Sequence, residues 1–326
     1  MPDVSIRDIE RVSKDALLRH GANENAAGIM ADAIAWAEAR NNRICGLYYL
    51  ESYCRQLETG RINRGATPSV EAVRASVLKV HADDGFAQVA FDAAFGQAVA
   101  VARETGIVSV NIGRAHTCTA LGWFTERAAA AGLIALGVTN ASPIVAPFGG
   151  SKRVIGTNPI AFAVPDGAGS VAFAFDQATT VVTLGAVNMA KEAGEPIPEG
   201  WAVDAEGNPT TDPETALKGS LLSAGVAKGW GIGAMVEILA AGLTGGRLSQ
   251  DVKPLKAPEG EPHDLGQVFI LIDPETSPEF GERLSGLIAG VEADRHGRLP
   301  GHGRVPLDRV PVPDALWVAC MGLAET

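Results

Sequence analysis

Positive charge is scarce in this chain of 326 residues: 27 Lys and Arg stand against 38 Asp and Glu, a formal charge of −11. A nucleic acid or an anionic membrane is gripped by clustered cations, so neither is expected as a partner. An anionic ligand has to be met by a few cations held locally. Cysteine is sparse too. Cys45, Cys54, Cys118 and Cys320 form no C-x-x-C pair, which argues against a disulfide framework and against a cysteine zinc site. Free thiols in a reducing cytoplasm are expected, and no metal. No run approaches the roughly 18 apolar residues of a membrane span; the longest candidate, Met235 to Leu243, is interrupted by Glu237. The opening Met-Pro-Asp-Val-Ser-Ile-Arg has no basic stretch ahead of an apolar one, so a secretory signal is not expected. Aromatics make up only 6% against 38 glycines, so close backbone approach must carry part of the packing.

What is present reads as two textures. Up to about residue 70 the pattern is helical: Ile6, Ile9 and Val12 recur at helical spacing behind Ser5 as N-cap, Glu24 to Arg40 is Ala-rich, and Leu47 to Leu57 runs to Gly60. After the break Gly65-Ala-Thr-Pro68, strands are expected at Val77–His81, Ile107–Ile112 and Leu133–Thr139, with helices at Gly85–Glu104 and Trp123–Ala131. Ile160–Val164 and Val171–Phe175 flank the turn Asp166-Gly-Ala-Gly169 and should form a hairpin. Further on come a helix at Met235–Leu243, a strand at Val268–Ile272, a helix at Pro278–Glu292 and an extended tail from Leu299 to Val312. Strand, helix and strand in succession together with a hairpin predict an α/β protein with a mixed sheet.

The G-x-G-x-x-G dinucleotide turn is missing: Gly229-Trp-Gly-Ile-Gly233 has the wrong spacing and follows a loop. Three glycine-rich loops join backbone donors to cations instead: Pro147 to Pro159 with Lys152 and Arg153, Gly225 to Gly231 with Lys228, and Arg298 to Arg304. Such loops suit a pyrophosphate or a carboxylate. His116 follows the strand Ile107–Ile112, where open α/β sheets bind ligands, and a histidine there can protonate a developing alkoxide. Asp176 closes another strand in the same way, either to polarise such an acid or as a helix N-cap.

Gly132 to Gly150, then Gly156-Thr-Asn-Pro-Ile-Ala-Phe-Ala-Val-Pro165, Phe175-Asp-Gln-Ala-Thr-Thr180, Pro198-Glu-Gly-Trp-Ala-Val-Asp204, Ala227-Lys-Gly229 and Arg298-Leu-Pro-Gly301 resemble the malate/L-lactate dehydrogenase family. That family includes sulfolactate and ureidoglycolate dehydrogenases and reductases of Δ1-piperideine- and Δ1-pyrroline-2-carboxylate. The resemblance spans essentially the whole chain. It implies a homodimer in which a non-Rossmann α/β unit, residues 73–279, binds NAD or NADP, beside a helical lobe built from residues 1–72 and 280–326. It implies hydride transfer to or from C2 of a small 2-hydroxy or 2-oxo acid, or reduction of a cyclic 2-imino acid. Thr157, Asn158, Pro159, Lys228 and Arg304 are expected at the cofactor, and His116 and Asp176 at the reacting atoms. Two departures bear on the substrate. Relatives carry Ser-His-Gly and then an Arg where this chain reads Ile44-Cys-Gly46 and Tyr49; Arg43, Tyr48 and Tyr49 are therefore expected at the substrate. In Ala115-His-Thr-Cys-Thr119, counting to Gly122, the family's histidine falls on Thr117 or on His116, of which His116 is the titratable one, and Thr117 is expected at the substrate. A nucleotide-binding member without catalysis is a third reading.

Overall fold

The structure, a computed structural model, describes residues 1–325. The chain opens with β1 (Asp3–Ser5), α1 (Ile6–Arg19), α2 (Glu24–Ala39) and α3 (Leu50–Thr59), the last reached through two single turns at Arg43–Cys45 and Leu47–Tyr49. Ser5 starts α1 because its hydroxyl accepts from the Asp8 amide at 3.1 Å, and Asn23 does the same for α2 with Ala26 at 2.8 Å. The α/β part follows: β2 (Ser69–Arg74), β3 (Val77–His81), α4 (Ala87–Thr105), β4 (Ile107–Ala115), α5 (Gly122–Ala130), β5 (Ile134–Thr139), β6 (Ile160–Pro165) and β7 (Val171–Gln177). A small lobe holds α6 (Leu184–Ala193), β8 (Ala202–Val203), β9 (Pro209–Thr210), α7 (Pro213–Lys218) and β10 (Ser220–Leu221). Then come α8 (Ala227–Glu237), running into a π turn at Ile238–Gly242, β11 (Leu265–Ile272), α9 (Phe280–Glu292), β12 (Arg309–Pro311) and α10 (Asp314–Glu325).

The main sheet has the order β2-β3-β4-β11-β5-β6-β7, with β3 and β4 parallel and every other neighbouring pair antiparallel. The expected mixed sheet and the β6–β7 hairpin are both found. The late strand β11 slots between β4 and β5, antiparallel to each. These pairings fix where chemistry can gather. β3, β4, β5 and β7 all end at one edge of the sheet, and β6 and β11 begin there. Residues 116–119, 140, 157–159, 176 and 263–265 are thereby brought to a single edge.

Two apolar cores hold this edge in place. Under the sheet, Phe91 meets Phe124 and Phe269 edge to face with centroids 5.1 and 4.9 Å apart, and Phe124 stacks on Phe269 at 4.8 Å, each buried ring stabilising by roughly 1.5–3 kcal/mol. The second core joins Ile9, Val12, Leu17, Met30 and Tyr53 to Val310 and Cys320. The tail expected to lie extended from Leu299 does so only in part: β12 pairs with β1, which buries Val310, and α10 follows. The helix α9 lies apart from this core, with Phe280, Leu284, Leu287 and Ile288 over Phe162 and Phe173 of the sheet.

Candidate active site

Asp176, at the end of β7, is the centre of the arrangement. Its Oδ2 accepts from the Gly122 amide at 2.8 Å, at the first turn of α5. Glycine is needed at 122 for space: a Cβ there would stand 3.0 Å from the Trp36 ring and 3.3 Å from the Asp176 Cβ. Burial raises the Asp176 carboxyl to about 6 against the pull of the Gly122 and Leu121 amides, and Glu126 raises it further. A carboxyl at about 6 exchanges a proton near neutral pH. It forms one wall of a cavity of about 360 Å³ lined also by Trp36, Arg40, Asn42, Gly122 and Arg304. Arg40 is already committed, donating through Nε and Nη2 to Glu126 at 3.0 and 2.7 Å with its guanidinium 4.2 Å over Trp36. Arg304 is exposed.

Two thiols adjoin Asp176. Burial first, and then the Asp176 charge, pushes Cys45 up to about 12 and Cys118 higher still, so both are thiols, not thiolates. Tyr49, half-buried, interacts with both thiols, and burial holds its phenol well above the usual value. The turn that carries Cys45 and Tyr49 is pinned by the buried Glu38, whose Oε1 accepts from the Leu47 amide at 2.8 Å. Gly46 makes room for that carboxylate, since a Cβ there would meet Oε1 at 2.2 Å.

On the other side of Asp176 the chain turns toward α8. Thr179 donates through its amide and its hydroxyl to the Thr157 carbonyl, each at 2.9 Å, and the Ala224 amide donates to the Thr179 carbonyl at 2.9 Å. Ala224 to Lys228 are exposed at the start of α8, where helix dipole and lysine together favour an anionic group. Ser223 beside them is buried, and among the described residues its hydroxyl has no partner. An uncommitted hydroxyl beside a helix start and a cation fits the phosphate-bearing part of a dinucleotide.

The expected site residues separate into three groups. Asp176 and Arg304 share the cavity, with Tyr49 close behind the thiols. Thr157, Pro159 and Lys228 lie along the edge toward α8, and Asn158 is part of that turn but faces inward. Fully buried at φ 37°, it donates through Nδ2 to the Gly233 carbonyl at 2.9 Å and to Glu237 Oε2 at 2.8 Å, and accepts from the Gly156 amide at 3.1 Å. Its side chain builds the turn. His116 is not among the residues that line this cavity. Buried to 1% exposure, it meets Gln56 Oε1 through Nε2 at 2.6 Å and stacks on His263. Burial, with His263 and Arg61 nearby, holds its pKa well below the usual imidazole value. Thr117 is buried beside it, with its amide 3.4 Å from His263 Nδ1. Arg43 is exposed and faces the Glu38 carboxylate. Tyr48 is exposed and carries Lys256 over its ring, 3.3 Å from the centroid. Sequence reasoning missed Arg40, Cys118 and Glu38. The position of Cys118, two residues past His116 in the turn after β4, was the available signal for one of them.

A sequence model of the malate/L-lactate dehydrogenase family matches residues 4–307. The chain belongs to this family. It is 39% identical over 307 residues to the (2R)-3-sulfolactate dehydrogenase (NADP(+)) of Chromohalobacter salexigens, covering 94% of this chain and 92% of that one. It is 37% identical over 304 residues to a Δ1-pyrroline-2-carboxylate/Δ1-piperideine-2-carboxylate reductase of Pseudomonas putida, covering 92% and 89%. The crystal structure of Δ1-piperideine-2-carboxylate reductase from Pseudomonas syringae superposes with a TM-score of 0.89 at 31% identity, over 99% of this chain and all of that one. This member of the family is an NAD(P)-dependent oxidoreductase with a mixed α/β fold. Among the described residues no helix is long and apolar enough to cross a membrane.

Proposed function

We propose that the protein interconverts a small 2-oxo acid and its 2-hydroxy acid, of the malate, lactate or sulfolactate type, with Asp176 as the group that moves the proton. The observation that carries this reading is a carboxyl with a pKa of about 6 at the carboxyl edge of the sheet, in the wall of a cavity that also holds arginine. The nicotinamide, when bound, supplies or accepts the hydride at C2. In reduction Asp176 gives its proton to the carbonyl oxygen as negative charge develops there; in oxidation it takes the proton back from the hydroxyl. The Gly122 amide fixes the carboxyl, and the buried Cys118 keeps water from that side. Lys228 and the start of α8 hold the cofactor phosphates, with Thr157 and Pro159 beneath the cofactor and Arg304 at the cavity mouth. His116 acts through position alone, bracing the turn that leads to Cys118.

A second reading, reduction of a cyclic 2-imino acid, is favoured by the absence of His116 from the cavity lining. With that imidazole packed against Gln56 and His263, the proton-transfer group is a carboxyl about nine-tenths ionised at pH 7, by its pKa of about 6. An iminium arrives already protonated, and a carboxylate pairs with it. Oxidation of NADPH and NADH by the purified protein with pyruvate, oxaloacetate, sulfopyruvate and the two cyclic imino acids decides between them. Turnover of the oxo acids supports the first reading, turnover of the imines alone replaces it with the second, and silence across the panel overturns both.

A homodimer fits the exposed apolar residues Ile232, Met235, Ile238 and Leu243, which line one stretch of α8 and its π turn. A second copy covering that face is expected to give twice the chain mass in light scattering. Four free thiols are in keeping with a reducing compartment, the cytoplasm.

A further inference from the structure

Two arginines, Arg40 and Arg304, line the cavity that holds Asp176, yet among the described residues neither forms an ion pair with it. A guanidinium beside a carboxyl keeps it ionised and lowers its pKa by about one to three units. A carboxyl that gives and takes a proton near neutral pH therefore has to be kept clear of both. Arg304 is exposed, where water screens its charge. Arg40 has no such screen, because its side chain is only 17% exposed, and the fold restrains it instead.

The restraint is a closed ring of contacts around the cavity. The Gly122 amide holds Asp176 at 2.8 Å from the first turn of α5. Glu126 stands one turn further on, on the same face of that helix. Its Oε2 accepts from Nε and Nη2 of Arg40 at 3.0 and 2.7 Å. The guanidinium is thereby laid over the Trp36 ring, 4.2 Å from the centroid, where the π face adds to the hold. The edge of that ring returns to Gly122, 3.0 Å from where a Cβ would stand. Trp36, Arg40, Gly122, Glu126 and Asp176 all line the one cavity.

The remaining groups that face Asp176 leave Arg40 as the cation to be managed. The thiols of Cys45 and Cys118 are neutral, and the Gly122 and Leu121 amides pull the carboxyl down while burial and Glu126 raise it. We propose that Glu126 is a positioning residue: by holding Arg40 against Trp36 it keeps the guanidinium off Asp176, which stays free to carry the proton. That Asp176 moves the proton in the reaction is the reading given above, and the inference rests on it. The pairing of Arg40 can be tested without any substrate.

Carbon-13 NMR titration of the full chain follows the Asp176 carboxyl directly, assigned by its loss in Asp176→Asn. In wild type the midpoint is expected at about 6. In Glu126→Ala the freed guanidinium turns to Asp176, and the midpoint falls by about one unit or more, a tenfold loss of proton affinity. Glu126→Met, which fills the space but offers Arg40 no oxygen, behaves in the same way and keeps the test open where the alanine variant does not fold. Glu126→Gln keeps an oxygen for Arg40, so its midpoint falls by less than about half as much. Glu126→Ala with Arg40→Leu returns to within about half a unit of wild type, because the cation is gone. The proposal is overturned if Glu126→Ala and Glu126→Met titrate as wild type does. It is overturned equally if Glu126→Gln falls as far as they do, which would make the effect one of charge alone, or if removing Arg40 restores nothing. The pH profile of turnover separates this inference from the proton-transfer reading. A midpoint that moves while the kinetic limb stays would sink Asp176 as the proton carrier and leave the Glu126–Arg40 arrangement standing. A limb at about pH 6 that is lost in Asp176→Asn, with a midpoint indifferent to Glu126, would do the reverse.

Discussion

His116 lies flat on His263, with ring centroids 4.0 Å apart and 19° between the planes. Two imidazolium ions cannot share such a stack, and both rings are held neutral: burial, then Arg61, pulls His263 down to about 3. A folded pKa below the unfolded value of about 6.5 means that the folded state binds fewer protons. The contribution to stability is then complete above that value and is lost as pH falls toward 3. By this linkage His263 alone removes about 2 kcal/mol between pH 8 and pH 5. His263→Phe keeps a flat ring against His116 without the proton. Urea unfolding at the two pH values is expected to show the wild type losing more stability than the variant by about that amount; an equal loss in both proteins would mean that the pair is not the acid-sensitive element.

Asp176 carries the opposite shift. Its folded pKa of about 6 exceeds the ordinary carboxyl value, so the acid form persists up to about pH 6 and is lost above it. Reduction, which needs the acid, is expected to slow as pH rises through about 6, and oxidation, which needs the base, to quicken over the same range. Asp176→Asn still accepts from the Gly122 amide but exchanges no proton. A fall in kcat of about 10²- to 10³-fold with loss of that limb from the pH profile is the expected result. Because the charged carboxylate is disfavoured in the fold, the variant is also expected to melt no lower than wild type at pH 8. Retention of the limb would move the proton transfer to another group.

How far the sequence alone reaches depends on how far apart the interacting residues lie. β4, β5 and the β6–β7 hairpin are legible because alternation and turn residues are local signals. The place of β11 between β4 and β5 is not, since its partners lie more than a hundred residues upstream. The three residues of β1 show no periodicity and exist through pairing with β12 at the far end of the chain. α8 begins at Ala227, ahead of the expected Met235, because its glycines serve close approach within a helix. A Cβ at Gly229 would stand 1.8 Å from the Ala224 carbonyl oxygen, and one at Gly233 2.8 Å from Ile155. At the site, Asp176 and Lys228 could be read from motif. The packing of His116 against Gln56 and His263 could not, because the order of residues in a turn does not say which side of it each ring takes.

Gly46 and Glu38 offer a packing test of the turn that carries Cys45 and Tyr49. Gly46→Ala drives a methyl into the Glu38 carboxylate, and the backbone has to move with it. A loss of about 1–3 kcal/mol in urea unfolding is expected from such overpacking. The double variant with Glu38→Ala should lose less than the sum of the two single changes, because the clash is then gone. Strict additivity would show that the glycine is not there to admit the carboxylate.

Lys228 and Asn158 belong to the same stretch of the sheet edge but should fail in different ways. Lys228 is exposed at the start of α8, so Lys228→Ala takes away a charge and little packing. Unfolding should move by no more than about 0.5 kcal/mol. NADPH affinity, read by quenching of tryptophan fluorescence, should fall by about tenfold at low salt and by less at high salt, since the lost contact is between charges in water. Asn158 is fully buried and bonded to Gly233, Glu237 and Gly156. Asn158→Ala leaves the Glu237 carboxylate short of a donor, so unfolding should lose about 1–3 kcal/mol whether or not cofactor is present. Any loss of NADPH affinity in that variant should be insensitive to salt, because it comes from a displaced Thr157 turn and not from a missing charge. If Lys228→Ala bound NADPH as wild type does at every salt concentration, the cofactor phosphates would have to lie elsewhere than at the start of α8.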